Sequence, residues 1–368
     1  MKRGRELMKI SVLVLVVAVG LVAAPLEAGW VPTGSMDAAR VSHYGVRGVS
    51  LPDGRVMFVS GWRRGAIYDP FSREWSVTAP MRSERSAAVV ALQDGLVFVA
   101  GGIPSRDTSE YYDADLDSWN VGPRLNASRV TATGTVLQDG RVLIVGGGTQ
   151  NETAEICSLR EMTCVPTNRM VGARTVHSAT LLPDGRVLVA GGGYHDFRSA
   201  EIFNPVTNAW YPTADMLFPR AAHSSVLLVT GQVLVVGGDY SASARTTELF
   251  DPQTESWSQA GDLLVARQRG HGVTILADGT ALVAGAENGI GDYSRTAEVF
   301  DYTTNTWTQI EDMGERRGNP LVILLWDGTV LVAGGYFREE CGGIGEERIC
   351  WQEGTPSAEL YFPPYLKK

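Results

Sequence analysis

The chain has little cysteine and little histidine, four and five in 368 residues. Four cysteines are too few for a disulfide-built scaffold. They fall as two close pairs, Cys157/Cys164 and Cys341/Cys350, which allow three connectivities, with local pairing the expectation. Zinc would want tighter spacing or histidines nearby, and neither pair has them. A positive surplus is also missing. The net charge is -9. Residues 1–28 carry Lys2, Arg3, Arg5 and Lys9 against Glu6 and Glu27, so the remainder stands at about -11, which argues against nucleic acid or an anionic membrane as partner. No apolar run is long enough to span a bilayer; that of residues 10–24 is about 15 long, short of the ~20 required. Basic residues before it and small ones after it read as a secretory signal cleaved near Ala28-Gly29, with an uncleaved anchor the alternative. The mature chain is expected to be secreted or periplasmic, with no stable membrane span. Gly-x-Ser-x-Gly, P-loop, His-Glu-x-x-His and EF-hand patterns are all absent.

Glycine is plentiful, 42 residues, and periodic. The segment from Leu182 through Asp184, Gly185 and Val189 to Gly191-Gly192 recurs seven times, with turn glycines at Gly54, Gly95, Gly140, Gly185, Gly231, Gly279 and Gly328. A repeat of roughly 40–50 residues, with one short hydrophobic strand and one glycine pair per unit, indicates a propeller blade. The expected fold is all-β: a seven-bladed β-propeller of four-stranded blades, residues 29–368 forming one domain after the signal. In the fourth unit the innermost strand is expected from Arg174 to Leu182, the second from Arg186 to Ala190, the third from Ala200 to Phe203 and the outer one around Trp210. The glutamate of the third strand recurs as Glu110, Glu155, Glu201, Glu248, Glu298 and Glu359, and the outer tryptophan as Trp75, Trp119, Trp210, Trp257 and Trp307. Unit one has Ala66 in place of the glutamate. Unit three has no tryptophan; an offset of about 46 residues puts Cys157 on Phe203 and Cys164 on Trp210, so a cross-strand disulfide is expected where other units have an aromatic pair. The seventh unit lacks its tryptophan strand, and Trp30 to Met36 matches Trp210 to Met216. The N-terminal strand is therefore expected to complete the last blade and close the ring, removing sheet edges.

These glycine pairs, glutamate–aromatic strands and tryptophans resemble kelch repeats over essentially the whole mature chain. The Leu-Pro-Asp-Gly-Arg-Val form and the stretch Ala358 to Leu366 resemble the central propeller of galactose oxidase-like copper radical oxidases. That resemblance implies copper held by two tyrosines and two histidines, a cysteine cross-link, and a β-sandwich after the Pro-x-Tyr-Leu stretch; here two residues follow that stretch. Counting from Arg317, the implied tyrosine–histidine pair falls on Asn319 and Pro320. The second tyrosine falls on Ala87, Thr131, Val176, Ala222 or Gly270. Proline has no donor atom and asparagine is a poor copper ligand, so the copper chemistry is disfavoured and no cofactor or metal is expected.

Arginines open the inner strands: Arg85, Arg129, Arg174, Arg220, Arg267 or Arg269, and Arg317, with Arg40 looser in unit one. In a closed ring they converge on one channel mouth, where they suit carboxylates, sulfates or acidic peptides. Alternatively each pairs with the third-strand glutamate of its own blade. His177, His223 and His271, with His43 offset, recur on adjacent units; a three-histidine metal site is the alternative to an inner-strand histidine satisfied by hydrogen bonds. The loops after the glycine pairs vary most, and varied loops on a rigid frame carry recognition. Tyr194, His195, Tyr240, Tyr293 and Tyr336 are the rim candidates, and the longest loop, Tyr336 to Pro356, is bracketed by Cys341 and Cys350. The function expected is a non-catalytic binding module, monomeric, for a carbohydrate or a protein. The alternative is a sugar isomerase or mutarotase using an arginine with a glutamate or histidine as acid and base, for which Glu84 and Glu287 are the glutamates without an assigned arginine.

Overall fold

The structure is a computed structural model that describes residues 29–37, 47–59, 63–85, 88–91, 95–148, 152–193, 197–238, 243–289, 292–342 and 349–367. Seven four-stranded antiparallel sheets follow one another along the chain. Blade one runs through Arg47–Ser50, Val56–Val59, Arg64–Asp69 and Glu74–Pro80. Blade four runs through Ser178–Leu181, Val187–Ala190, Ala200–Asn204 and Ala209–Pro212. Blades two, three, five and six repeat this order. Blade seven takes its inner three strands from Leu321–Leu324, Val330–Ala333 and Ala358–Phe362, and its outer strand from Gly29–Thr33. Trp30 stands opposite Tyr361 there, with ring centroids 5.1 Å apart, so the ring closes as the sequence implied. Among the described residues no helix is long and apolar enough to cross a membrane.

The second strand of each blade explains why the repeat is hydrophobic without alternation. Leu188 and Ala190 pack toward blade five, with Val233 and Val235. Val187 and Val189 pack toward blade three, with Leu143 and Val145. A strand buried on both faces reads as an unbroken apolar run. Each such side chain contributes about 1.5–3 kcal/mol by leaving water. The described residues form seven such clusters, one between each pair of neighbouring blades, including blades seven and one.

The glycine pair is required by close approach. At Gly191 (φ 65°) a Cβ would lie 2.5 Å from the Arg220 carbonyl oxygen, and at Gly192 (φ 64°) 2.3 Å from that of Thr175. The second and third strands of a blade thus turn directly against the connections leading into its own and the next inner strand.

On the outer side, one cross-strand pair recurs in register. Phe203 opposes Trp210, Phe250 opposes Trp257 and Phe300 opposes Trp307, with centroids 4.8, 5.0 and 5.1 Å apart. Tyr68–Trp75 and Tyr112–Trp119 do the same in blades one and two. In blade three the pair is Cys157 and Cys164, joined by a disulfide.

Two expectations are corrected. The inner strand of blade four begins at Ser178, four residues later than expected, because Val176 takes a left-handed backbone (φ 48°) that breaks the ladder. The long last loop is largely a hairpin, Tyr336–Gly342 against Ile349–Gly354, with Cys341 and Cys350 opposite in register.

Candidate functional site: the channel and its mouth

Each outer strand leads into the next blade through a short connection that carries the arginine. That arginine is nearly inaccessible in blades two to seven. Arg220 donates from Nη1 to the Gly237 and Thr246 carbonyls and from Nη2 to Glu248 Oε1 at 2.8 Å. Glu248 in turn accepts the backbone N–H of Leu217 at 2.6 Å. The pair fastens the incoming connection onto its own blade. The same contact joins Arg85 to Glu110 (3.0 Å), Arg129 to Glu155 (2.6 Å), Arg174 to Glu201 (3.0 Å), Arg267 to Glu298 (2.9 Å) and Arg317 to Glu359 (3.0 Å). Of the two arrangements open at the sequence level, the intra-blade pairing is the one present. The six guanidiniums are buried between connection and blade and do not form an open cationic ring.

Just past the arginines the chain turns through left-handed backbone: Thr131, Val176, Ala222, Gly270 and Asn319 have φ between 48° and 63°. For β-branched Thr131 and Val176 this conformation costs on the order of 1–3 kcal/mol. Neighbouring turns are laced around the mouth. The Ala222 N–H donates to the Val176 carbonyl at 2.9 Å and the Asn319 N–H to that of Gly270 at 2.7 Å. The resemblance to copper oxidases implies metal ligands at these turns; the described ones carry Thr131, Val176, Ala222, Gly270 and Asn319.

Below the turns lies the upper channel, a cavity of about 350 Å³ lined by the first residues of the inner strands. His177, His223 and His271 each reach back to the preceding blade. His177 Nε2 hydrogen-bonds Thr133 Oγ1 and His223 Nε2 hydrogen-bonds Ser178 Oγ, both at 2.8 Å. His271 Nε2 donates to the Val236 carbonyl at 3.0 Å, which fixes its tautomer. Burial, with neighbouring arginines adding to it, pushes the pKa of His177 and of His271 down to about 3, and that of His223 well below its ordinary value. The rings are therefore neutral. They do not converge on a common centre; among the described residues the one group of close metal-type ligand atoms is Glu155, Cys157 and Cys164, whose sulfurs form the disulfide.

Between blades six and seven, Tyr293 and Tyr336 are buried, correcting the expectation of exposed rim rings. They stack at 6.3 Å with planes 29° apart. Glu287 lies beside them and meets Arg269 at 3.5 Å. Burial, with Tyr293 and Glu287 nearby, pushes the Tyr336 hydroxyl pKa up. Tyr194, His195 and Tyr240, with Arg40, His43 and Ala87, lie outside the described residues. The sequence reading missed Arg47, Thr133 and Ser178, all at the first position of an inner strand. The signal was present: seven residues before the turn glycine the other units carry Ala88, Thr133, Ser178, Ser224, Gly272 and Leu321, and only unit one carries a charge.

The kelch motif matches residues 174–217, 220–264 and 284–314. The chain is a seven-bladed β-propeller that carries kelch motifs. No curated protein matches the chain. Among solved structures, this kelch propeller is similar to a fungal alcohol oxidase of the AA5 family in complex with copper, at 17% identity and a TM-score of 0.74, covering 92% of this chain and 77% of that one. It is also similar to the protein YjhT, at 13% identity and a TM-score of 0.55, covering 73% and 97%. At such identities the likeness is one of fold.

Proposed function

We propose that this kelch propeller is a non-catalytic binding module acting outside the cytoplasm, with residues 1–28 as its cleaved signal, and that it takes a glycan on the face bearing the channel mouth. One observation carries the reading. The mouth has the rigid frame on which related propellers build chemistry, yet its turn positions hold Thr131, Val176, Ala222, Gly270, Asn319 and Pro320, which offer neither a metal donor set nor a nucleophile with its base. What the same face does offer is recognition material: loops of differing length, the hairpin Tyr336–Gly342/Ile349–Gly354, and the half-exposed Arg269 beside Glu287. The disulfide Cys157–Cys164 supports an oxidising compartment.

The test is a glycan array that includes cell-wall fragments, probed with the purified mature chain. The expected result is a reproducible hit whose affinity falls at least about tenfold in Arg269→Ala, a loss typical of one charged hydrogen-bonding group. A blank array removes the glycan reading and leaves a protein partner, sought by pull-down from an envelope fraction. Turnover of any sugar on the array would overturn the non-catalytic part.

A further inference from the structure

Seven inner strands surround the channel, each presenting one unpaired backbone edge to it. Among the described residues lining its upper cavity are three neutral histidines, several hydroxyls and not one carboxylate. The one charge among these described residues is Arg47. Its backbone position is fixed by pairing with Val59 at the start of the blade-one sheet, and it lines the channel, within reach of a small ligand yet crowded by the surrounding blades.

Among the described residues Arg47 differs from the six buried arginines in having no partner. Blade one carries Ala66 where blades two to seven carry the clamping glutamate. Among the described residues Arg47 makes no ion pair and no side-chain hydrogen bond. Its pKa is lowered, with desolvation inside the ring as the cause and no acid acting against it. A guanidinium held there without a counter-charge is unfavourable, and it supplies five donors in a planar fork that fits an oxyanion.

Two hydroxyls add to it. The His271 ring carries its proton on Nε2. With the same tautomer, His177 and His223 donate to Thr133 Oγ1 and Ser178 Oγ. Each hydroxyl then has its own O–H left to give, and among the described residues neither has another partner. The histidines thus orient the hydroxyls without adding charge. A cavity of about 350 Å³ lies at the small end of ligand sites, large enough for a single sugar ring and too small for a chain.

We propose that the central channel binds one small oxyanion, the carboxylate or sulfate of a molecule no larger than a sugar acid, through the Arg47 guanidinium with the hydroxyls of Thr133 and Ser178. The site is separate from the glycan face and stands or falls without it, since Arg269 does not line the cavity.

The experiment is calorimetric titration of the full mature chain at low ionic strength with glucuronate, glucose and inorganic sulfate, repeated on Arg47→Gln and Arg47→Lys. Glucuronate is expected to bind and glucose not to. Arg47→Gln should weaken binding at least about tenfold, Arg47→Lys less, and Ser178→Ala a few-fold, consistent with loss of the fork, of its geometry and of one hydroxyl. Sulfate binding with the same Arg47 dependence, without glucuronate, would assign the site to a free inorganic oxyanion. The unliganded Arg47→Gln protein is expected to melt at or above the parent temperature, which separates lost binding from lost folding. No binding of either anion, or binding undiminished in a folded Arg47→Gln protein, overturns the proposal.

Discussion

Blade one and blade four share the same four strands and the same aromatic pair, Tyr68–Trp75 in one and Phe203–Trp210 in the other. They differ in how they treat charge. Blade four buries Arg174 against Glu201, and that glutamate also accepts the N–H groups of Val171 and Gly172. Blade one has Ala66 in place of the glutamate, and Gly65 donates instead to the Thr78 hydroxyl at 3.0 Å. The described arginine that starts its inner strand, Arg47, faces the channel. Arg47 stands at the register of Ser178, four residues past that of Arg174, so it is a channel residue and no counterpart of the clamp arginines.

Removing the carboxylate from blade four is the severest way to break this contrast. Glu201→Ala is expected to cost about 3–5 kcal/mol, because it leaves a buried cation unpaired and two backbone N–H groups without an acceptor. Adding Arg174→Met should restore much of that. Urea unfolding of the three proteins reads the effect, and a loss below ~1 kcal/mol for Glu201→Ala would mean that the clamp is not structural.

The second test sets blade three against blade four. Cys157→Ala with Cys164→Ala removes a short disulfide loop and should cost about 2.5 kcal/mol. Cys157→Phe with Cys164→Trp, which rebuilds the pair of blade four, should recover part of it, measured by thermal unfolding. Equal instability of the two double variants would show that the blade-three core has adapted to sulfur alone.

The third test turns on the channel histidines. The folded pKa of His177 and of His271, near 3, lies below the unfolded value of about 6.5, and that of His223 is lowered in the same direction. Between those values protons bind the unfolded chain and not the folded one. Stability is therefore complete above about pH 6.5 and declines as the pH falls toward 3. By pH 5 the loss is about 2 kcal/mol for each such histidine. His271→Asn should flatten the decline by one share, read from unfolding midpoints at pH 7 and pH 5.

Much of the frame was legible because it repeats. The glycine spacing, the completion of blade seven by Trp30, and the substitution of Cys157/Cys164 for an aromatic pair all follow from comparing one unit with the next. The Arg–Glu clamp was legible as one of two alternatives, since equal numbers of the two residues cannot by themselves show whether the arginines face inward to a partner or outward to solvent. What resisted was whatever depends on three-dimensional neighbours. Tyr293 and Tyr336 look like rim aromatics in sequence and are buried because blades six and seven close over them. Left-handed backbone at Val176 has no sequence signature, since valine ordinarily avoids it. Arg47 escaped attention because it stands about four residues past the register at which the other arginines recur.

The closing strand also sets a timetable. In six blades every strand pairs with one made shortly before or after it, so those sheets can form as the chain lengthens. The seventh pairs Gly29 with Phe362, joining the first described residue to one of the last. Closing so long a loop carries the largest entropic cost and slows whatever depends on it. Until Phe362 has been made, Trp30 has no Tyr361 to meet, and the apolar faces of blades one and seven stay open. The ring is thus built as an arc and locked once, at the end, by a strand synthesised near the beginning.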